Sequence, residues 1–285
     1  MDQTLDEQGA IPGGMVPVSV VIPCYRCHST INTAVRSVLD QTARPAEIIL
    51  VEDCSEDGGL TLGAIEAIAR SDYSPVHIVV LRLPENRGPG EARNVGWEAA
   101  SQKLVAFLDA DDTWHPRKLA IQAGWMLANP DYALTCHDSV IREGRDSVPL
   151  PASLMTRRKI SGARLLYRNE IATRTVMLRC AVAQRFPRNV RHAEDFQLWL
   201  RIVLRGGAAM RICLPLAYSY KEDFGAGGLS GNLRAMHQGV LHCLKAVRED
   251  RLISNWTFLL ATAFETLKYW RRFVVTEVAT RRRGG

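Results

Sequence analysis

The sequence contains no apolar run long enough to cross a bilayer, since none reaches the roughly 18 uninterrupted apolar residues that a spanning helix needs. The nearest candidate, residues 256–270, is interrupted by Glu265 and Lys268. No internal repeat or low-complexity segment is present, and a composition of 47% hydrophobic and 23% charged residues is not that of a disordered chain. With 285 residues, the chain can bury a substantial core as one large domain or as a domain with an appendage.

A secretory signal and a cysteine framework are also missing. The seven cysteines are scattered and odd in number, and the first residues are acidic and polar. Both features indicate reduced thiols in a cytoplasmic protein. Cys24 and Cys27 form a CxxC pair, but no second pair follows with the spacing of a zinc ribbon. Buried or incidental thiols are therefore favoured over a metal or redox role.

Positive charge is in excess, with a formal net charge of +6. Such an excess fits a nucleic-acid binder, a membrane-surface protein or an enzyme for anionic substrates. The sequence has no helix-turn-helix, zinc or RNA-binding aromatic signature, so we expect no nucleic-acid partner. Part of the excess lies in residues 270–273 and 280–285, where a solvated face and a frayed tail are the alternative interpretation.

Buried β-branched runs alternate with amphipathic segments in the first half of the chain. The predicted strands are residues 18–25, 47–53, 76–84 and 103–112, and the predicted helices between them are residues 29–42, 58–71 and 88–101. Beyond them we predict a helix at 115–130, a strand at 133–141, a loop or mobile segment at 142–160 and a helix at 192–207. This alternation predicts an α/β fold with a mainly parallel, Rossmann-like sheet and helices on both faces.

Three regions are predicted along the chain. Residues 1–16 are a flexible leader that ends near Gly13 and Gly14, and residues 17–232 form the α/β domain. From about residue 233 onward, apolar residues recur at spacings of three and four, which is typical of helices. Residues 233–285 are therefore predicted to be a basic, helical C-terminal appendage.

Carboxylates follow several of the predicted strands. In a parallel sheet, ligands bind beyond the carboxyl ends of the strands, and here those ends carry residues 23–25, 52–53 and 109–112. Asp109 and Asp111 flank one small residue, so in an extended segment both side chains would project to one side. Their hard oxygen ligands suit Mg²⁺ or Mn²⁺ shared with substrate phosphates. The alternative is a solvated turn that caps a helix.

Five segments, in this order, resemble those of the family 2 inverting glycosyltransferases, which have the GT-A fold. They are VSVVIPCYRCHSTINTAVRSVLDQT, EIILVEDCSEDGG, LPENRGPGEARNVGWEAA, LVAFLDADDTWHPRKL and HAEDFQLWLRI. The resemblance covers residues 17–231, which it identifies as a GT-A catalytic domain. It implies transfer of a sugar from a nucleotide-diphosphate sugar, expected to be a UDP-sugar, to the hydroxyl of a glycan or lipid-linked acceptor. The product would belong to a cell-surface polysaccharide or glycolipid.

The resemblance places the donor's base and ribose at the first two strand ends. Pro23 and Tyr25 would line this pocket, with Tyr25 offering a stacking face, although a packed strand end is the alternative. Asp53 would accept a hydrogen bond from the base, with Glu52 nearby. The family has Asp in place of Glu52 and Gly in place of Cys54, so we expect that the turn does not require a left-handed glycine here.

The resemblance also distributes roles around the donor diphosphate. Arg87 or Arg93 would face it, because guanidinium pairs with phosphate in a bidentate manner; alternatively, Arg93 pairs internally with the aspartates. Asp111 is the first metal ligand expected. Asp109 would contact the donor sugar or ribose, or help to hold the ion, and Asp112 is a supporting candidate. The Mg²⁺ or Mn²⁺ ion would stabilise the leaving nucleoside diphosphate.

On the acceptor side, inversion requires a base opposite the leaving group, and the resemblance assigns this role to Asp195. Glu194 is the second candidate for the base and would otherwise bind the acceptor. The alternative for both acids is stabilisation of a helix N-terminus. His137 and His192 are favoured as structural histidines over metal ligands. Residues 227–232 resemble a Gly/Ser segment that closes over the donor.

Two alternatives remain open on the sequence. The aromatic and basic C-terminal helices would lie on an anionic membrane surface at the inner face, or would pack on the catalytic domain or on a second subunit of a homo-oligomer. The chain would otherwise be a catalytically silent nucleotide-sugar-binding protein. The presence of both Asp111 and Asp195 favours the enzyme.

Overall fold

The computed structural model describes residues 14–142, 156–220 and 232–283. Residues 1–13 of the predicted leader lie outside these ranges. So do residues 143–155 of the predicted loop and residues 227–231 of the Gly/Ser segment.

Strands and helices alternate along the first half of the described chain, as the sequence predicts. The strands are β1 (Met15–Cys24), β2 (Arg44–Glu52), β3 (His77–Arg82), β4 (Leu104–Phe107), β5 (Thr113–Trp114), β6 (Tyr132–Ile141), β7 (Arg157–Lys159), β8 (Met177–Arg179) and β9 (Ala208–Ser219). The helices are α1 (Ile31–Leu39), α2 (Leu60–Arg70), α3 (Pro89–Ala99), α4 (Lys118–Ala128), α5 (Gly162–Tyr167), α6 (Glu194–Leu204), α7 (Leu233–Glu249) and α8 (Asn255–Arg283). A short 3-10 helix, Thr173–Thr175, precedes β8.

The strands form one sheet in the order β3-β2-β1-β4-β8-β6-β9-β5, and β7 pairs with β9. β1, β2, β3, β4, β6 and β9 run in one direction, whereas β5, β7 and β8 run in the other. The carboxyl ends of β1, β2 and β4 therefore meet at the same edge. The predicted α/β fold with a mainly parallel sheet is confirmed.

Helices cover both faces of the sheet because its central strands are buried on both sides. On β1, Val20 and Ile22 belong to a core shared with α1, α2 and α4, whereas Val21 belongs to a second core shared with α3 and α6. α3 lies very close to β1, since a Cβ atom on Gly96 would come within 2.4 Å of Val21. Glycine at this position lets the helix approach the strand.

The fourth strand is shorter than the sequence predicts. β4 ends at Phe107, and Asp109 to Asp112 form a turn in which the Asp112 amide donates to the Asp109 carbonyl oxygen at 3.0 Å. The prediction that Asp109 and Asp111 project from an extended segment is therefore wrong. The chain leaves the sheet after the Leu108 amide donates to the Val21 carbonyl oxygen.

The predicted helical appendage is confirmed as α7 and α8. α7 buries Cys243, Leu244 and Val247 in the core that α6 also enters. It lies directly on the turn before α6, because a Cβ atom on Gly239 would come within 2.6 Å of the His192 carbonyl oxygen. None of the helices in the described residues combines the length and the hydropathy that a membrane-spanning segment needs.

We predict that Gly239→Ala lowers the free energy of unfolding by about 1–3 kcal/mol, the usual cost of overpacking a close contact. Gly63→Ala is the matched control, since no atom of the described chain lies within 4 Å of a Cβ there. It should raise stability by about 0.5–1 kcal/mol, as alanine is favoured inside a helix. Urea unfolding measures both. Equal effects of the two substitutions would contradict the packing of α7 on residue 192.

Candidate active site

A cleft of about 1690 Å³ opens at the carboxyl ends of β1, β2 and β4 and continues past the start of α6 to α7 and α8. Most of the predicted site residues line it. These are Pro23, Tyr25, Asp53, Arg93, Asp109, Asp111, Asp112, Glu194 and Asp195. The structure therefore brings the acids of three separate sequence segments to one cavity, with the ring of Tyr25 44% exposed at its wall.

Asp53 fixes the loop that begins α3. Its two carboxylate oxygens accept hydrogen bonds from the amides of Arg87 and Gly88, each at 2.8 Å. The side-chain amide of Asn86 donates to the Asp53 carbonyl oxygen at 3.0 Å. Burial raises the pKa of Asp53, and the two amide donors oppose this rise. Asp53 thus holds residues 86–88 against the end of β2 and still borders the cleft.

Glu52 and Cys54 form a closed turn beside Asp53. The Glu52 carboxylate accepts from the amides of Cys54 at 3.0 Å and Ser55 at 2.7 Å, and Glu52 is absent from the described residues that line the cleft. Cys54 has a φ of +51°, so this position is left-handed and is occupied by cysteine, without a glycine. The Glu52 carboxylate supports this conformation by accepting both amides. The structure does not bring Glu52 to the predicted donor pocket.

The two candidate arginines lie in different surroundings. The Arg87 side chain is 43% exposed, pairs with Glu85 at 3.1 Å and is not among the described cleft residues. Arg93 is buried, and its guanidinium lies 2.6 Å from Asp109 and 3.3 Å from Glu194. This geometry favours the internal pairing of Arg93 with carboxylates. It also joins the two acidic groups of the cleft.

The aspartates after β4 are crowded. Asp112 is buried, and its carboxylate lies 3.7 Å from Nε of Arg174. Burial raises the pKa of Asp112 to about 8, the charges of Asp109 and Asp111 add to the rise, and Arg174 opposes it. Negative charge is therefore in surplus at this turn.

A divalent cation fits this surplus when a donor is present. No group of three potential protein ligands occurs among the described residues, so the chain does not form a complete metal cage there. Mg²⁺ is commonly held by one or two carboxylates with the remaining positions filled by phosphates and water. Asp111, with support from Asp109, could supply oxygen ligands for such an ion.

A second acidic pair begins α6. The hydroxyl of Thr173 donates to Asp195 Oδ2 at 3.0 Å, and the Phe196 amide donates to Oδ1 at 2.6 Å. Burial raises the pKa of Glu194 to about 7, the neighbouring charge of Asp195 adds to this rise, and Arg93 opposes it. Burial also raises the pKa of Asp195. These raised values suit a carboxylate that takes up a proton near neutral pH.

Among the cleft residues that sequence reasoning missed, three lie close to the strand-end and α6 groups. Thr173 orients Asp195, Arg174 faces Asp112, and Arg191 donates to the side-chain oxygen of Asn86 at 3.1 Å. No motif marks the first two, because they reach the site through the short 3-10 helix. For Arg191, the sequence signal was that this basic residue directly precedes the HAED segment.

The two histidines also border the cleft. His137 is buried, and its Nδ1 lies 2.8 Å from the Asp138 carbonyl oxygen. Burial lowers the pKa of His137, which keeps the ring neutral. The His192 backbone supports α7 through its close contact with Gly239. One ring nitrogen of each, Nε2 of His137 and Nδ1 of His192, is buried without a hydrogen-bond partner in the described structure, so the structural role of both histidines stays a prediction.

Solved structures with the same fold define the class of protein. TarS of S. aureus, residues 1–349 with UDP-GlcNAc, has a TM-score of 0.63 and 21% identity, and the match covers 81% of this chain and 66% of that chain. The mannosyltransferase PcManGT from Pyrobaculum calidifontis, solved with GDP-Man and Mn²⁺, has a TM-score of 0.60 and 18% identity. The match covers 98% of this chain and 84% of that chain. The fold is that of the GT-A glycosyltransferases, as the sequence predicts.

Sequence comparison gives the family. The profile described as Glycosyl transferase family 2 matches residues 19–186. TuaG of Bacillus subtilis, named as a glycosyltransferase of teichuronic acid biosynthesis, is 33% identical over 201 residues, 69% of this chain and 77% of that protein. WfgD of Escherichia coli is named a UDP-Glc:alpha-D-GlcNAc-diphosphoundecaprenol beta-1,3-glucosyltransferase. It is 30% identical over 192 residues, which are 65% of this chain and 69% of that protein. The chain belongs to glycosyl transferase family 2, and the predicted membership is confirmed.

We predict that Arg93→Gln lowers the free energy of unfolding by about 3–5 kcal/mol, because it leaves the buried Glu194 and the partly buried Asp109 without their partner. The loss should be larger at pH 8 than at pH 5.5, since the pKa of Glu194 lies at about 7 and its protonated form needs no cation. Urea unfolding at both pH values measures the effect. The exposed Arg87→Gln is the control and should change little. A loss independent of pH would contradict the charge pairing.

Proposed function

We propose that this chain transfers a sugar from a nucleotide-diphosphate sugar, expected to be a UDP-sugar, to an acceptor hydroxyl with inversion at the anomeric carbon. One observation carries the proposal: the acidic turn at Asp109 to Asp112 and the acidic pair at Glu194 and Asp195 border one cleft, with Arg93 between them. Membership of the family supports sugar transfer. The same membership makes a catalytically silent nucleotide-sugar-binding protein the weaker alternative.

The donor would lie over the ends of β1, β2 and β4. Pro23 and the exposed ring of Tyr25 would contact the base and ribose, and Asp53 would accept from the base. The diphosphate would lie near Asp111 with its Mg²⁺ or Mn²⁺ ion. TarS and PcManGT are solved with UDP-GlcNAc and with GDP-Man and Mn²⁺, which supports a nucleotide-sugar donor here.

Asp195 would act as the base that takes the proton from the acceptor hydroxyl as its oxygen attacks the anomeric carbon. Thr173 and the Phe196 amide fix the carboxylate, and its raised pKa brings its basicity nearer to neutral pH. Glu194 is more buried and already pairs with Arg93, which favours a positioning role for it. The capping of α6 by these acids is compatible with both roles.

The acceptor would be a glycan or a lipid-linked sugar used in cell-surface polysaccharide or glycolipid synthesis, reached from the cytoplasmic face of a membrane. The name of WfgD includes a lipid-linked diphosphate acceptor, which supports this proposal. We also retain the proposed division into a leader at 1–16, a catalytic domain at 17–232 and a helical basic region at 233–285. The helical region would attach the enzyme to an anionic membrane surface.

A donor screen tests the function. We expect one nucleotide sugar to be hydrolysed slowly or transferred in the presence of Mg²⁺ or Mn²⁺, and EDTA to abolish turnover. Asp195→Asn should lower kcat by about 100- to 10,000-fold and leave donor binding intact, because a base is lost. Asp111→Asn should weaken metal-dependent donor binding. Retained turnover in Asp195→Asn would reject the base, and activity in EDTA would reject the metal.

Co-sedimentation with vesicles tests the membrane attachment. The exposed side chains Trp256 and Trp270 should insert into the interface, so their double replacement by Ser should strongly reduce binding to anionic vesicles. Trp125 is a poor control because it is buried, whereas Leu127→Ser, at an exposed position of the otherwise buried α4, should bind as the unmodified chain does. The alternative is that this surface packs on a second copy of the chain. Light scattering tests it, because the unmodified chain would then be a dimer that dissociates in the double variant.

A further inference from the structure

Helix α8 has two different faces. Its exposed face carries large apolar residues at helical spacing, namely Trp256, Leu260, Leu267, Trp270 and Val274. The opposite face buries Ala261 and Glu265 and places Lys268, Tyr269 and Arg272 on the wall of the cleft. Residues at spacings of three and four lie on one side of a helix, so these two sets are separated by α8 itself.

The lining of the cleft extends from the strand ends and the acidic pair of α6 to α8. α5 and the residues after it form its other wall, where Tyr167 and Arg168 lie. The ring of Tyr167 packs edge-on against Phe264, with 5.4 Å between the centroids. The cavity is continuous from the acidic pair to this wall, so a molecule with its hydroxyl at Asp195 would extend toward α8.

Among the described cleft residues on these two walls, basic side chains (Arg164, Arg168, Lys268 and Arg272) outnumber the acidic Glu170 and Glu265. The buried Glu265 is already matched, because Lys268 forms an ion pair with it at 2.5 Å and His237 lies 3.9 Å away. Lys268 also donates to the Tyr167 carbonyl oxygen at 3.0 Å, which leaves one N–H of its ammonium group for a ligand. Arg168 on the α5 wall and Arg272 on the α8 wall are both exposed, and each carries a positive charge.

We propose that this end of the cleft is a subsite for a phosphate or diphosphate group of the acceptor, bound by Arg168, Lys268 and Arg272. Arginine and lysine are the side chains that bind phosphate oxygens through charge-assisted hydrogen bonds. The inference rests on the proposed function for the identity of the ligand as acceptor. It adds a location: the anionic group lies against α8, and the reacting hydroxyl lies at Asp195.

Direct binding of farnesyl diphosphate tests the subsite without any transfer. Calorimetry is carried out in EDTA, because donor diphosphate binding at Asp111 is expected to need the metal. Arg272→Gln and Arg168→Gln should each weaken binding by about fivefold to tenfold, as expected for loss of one charge-assisted contact. Arg271→Gln is the matched control, since Arg271 is the exposed neighbour on α8 and does not line the cleft.

Several outcomes would overturn the assignment. They are no binding by the unmodified chain, equal losses in Arg271→Gln and Arg272→Gln, and equal binding of farnesol, which lacks the phosphates. Inorganic diphosphate that binds as tightly as farnesyl diphosphate would identify a free anion, and not an acceptor, as the ligand. If farnesyl diphosphate binding depends on Arg272 but no nucleotide sugar is turned over, the proposed function fails and the anion subsite stands.

Discussion

The rest of the site depends on the two ion pairs that the buried guanidinium of Arg93 forms. The guanidinium lies between Asp109 and Glu194, which come from the β4 turn and the start of α6. Two carboxylates from separate elements would repel each other in a buried cleft, and a single paired cation removes that repulsion. α3 can deliver Arg93 there because Gly96 brings this helix close to β1. Packing of one helix on one strand thus sets the distance between the two acidic groups.

Burial then gives the two acidic groups different properties. The acids after β4 carry surplus negative charge, which burial of Asp112 makes costly and a donor-bound cation would relieve. At α6, burial raises the pKa of Glu194 to about 7, and the cation that limits this rise is Arg93 itself. In the proposed mechanism, the turn after β4 would hold a metal and the acidic pair of α6 would exchange a proton, although both groups consist of carboxylates.

Periodicity was enough to predict β1 to β4, β6, the helices between them and the C-terminal helices, because buried parallel strands and amphipathic helices leave strong patterns. It did not predict β5, β7, β8 or β9. The short-range details were not predictable. Whether Asp109 to Asp112 extend or turn depends on where the last sheet hydrogen bond forms, at Leu108. Cys54 adopts a left-handed conformation because Glu52 supports its amide, a contact that residue type alone does not reveal. Thr173 reaches Asp195 only through the tertiary fold.

Helix α8 links the chemistry of the cleft to the surface of the protein. α7 anchors the turn before Asp195 through Gly239, and Cys243 donates to the Ala193 carbonyl oxygen at 3.1 Å. α8 packs on α7, so the apolar surface of α8 has a fixed orientation relative to the acidic pair. If that surface lies on a bilayer, an amphiphilic acceptor in the membrane has only to cross the thickness of one helix, about 10 Å. The helical region would then present the acceptor to the base as well as attach the enzyme.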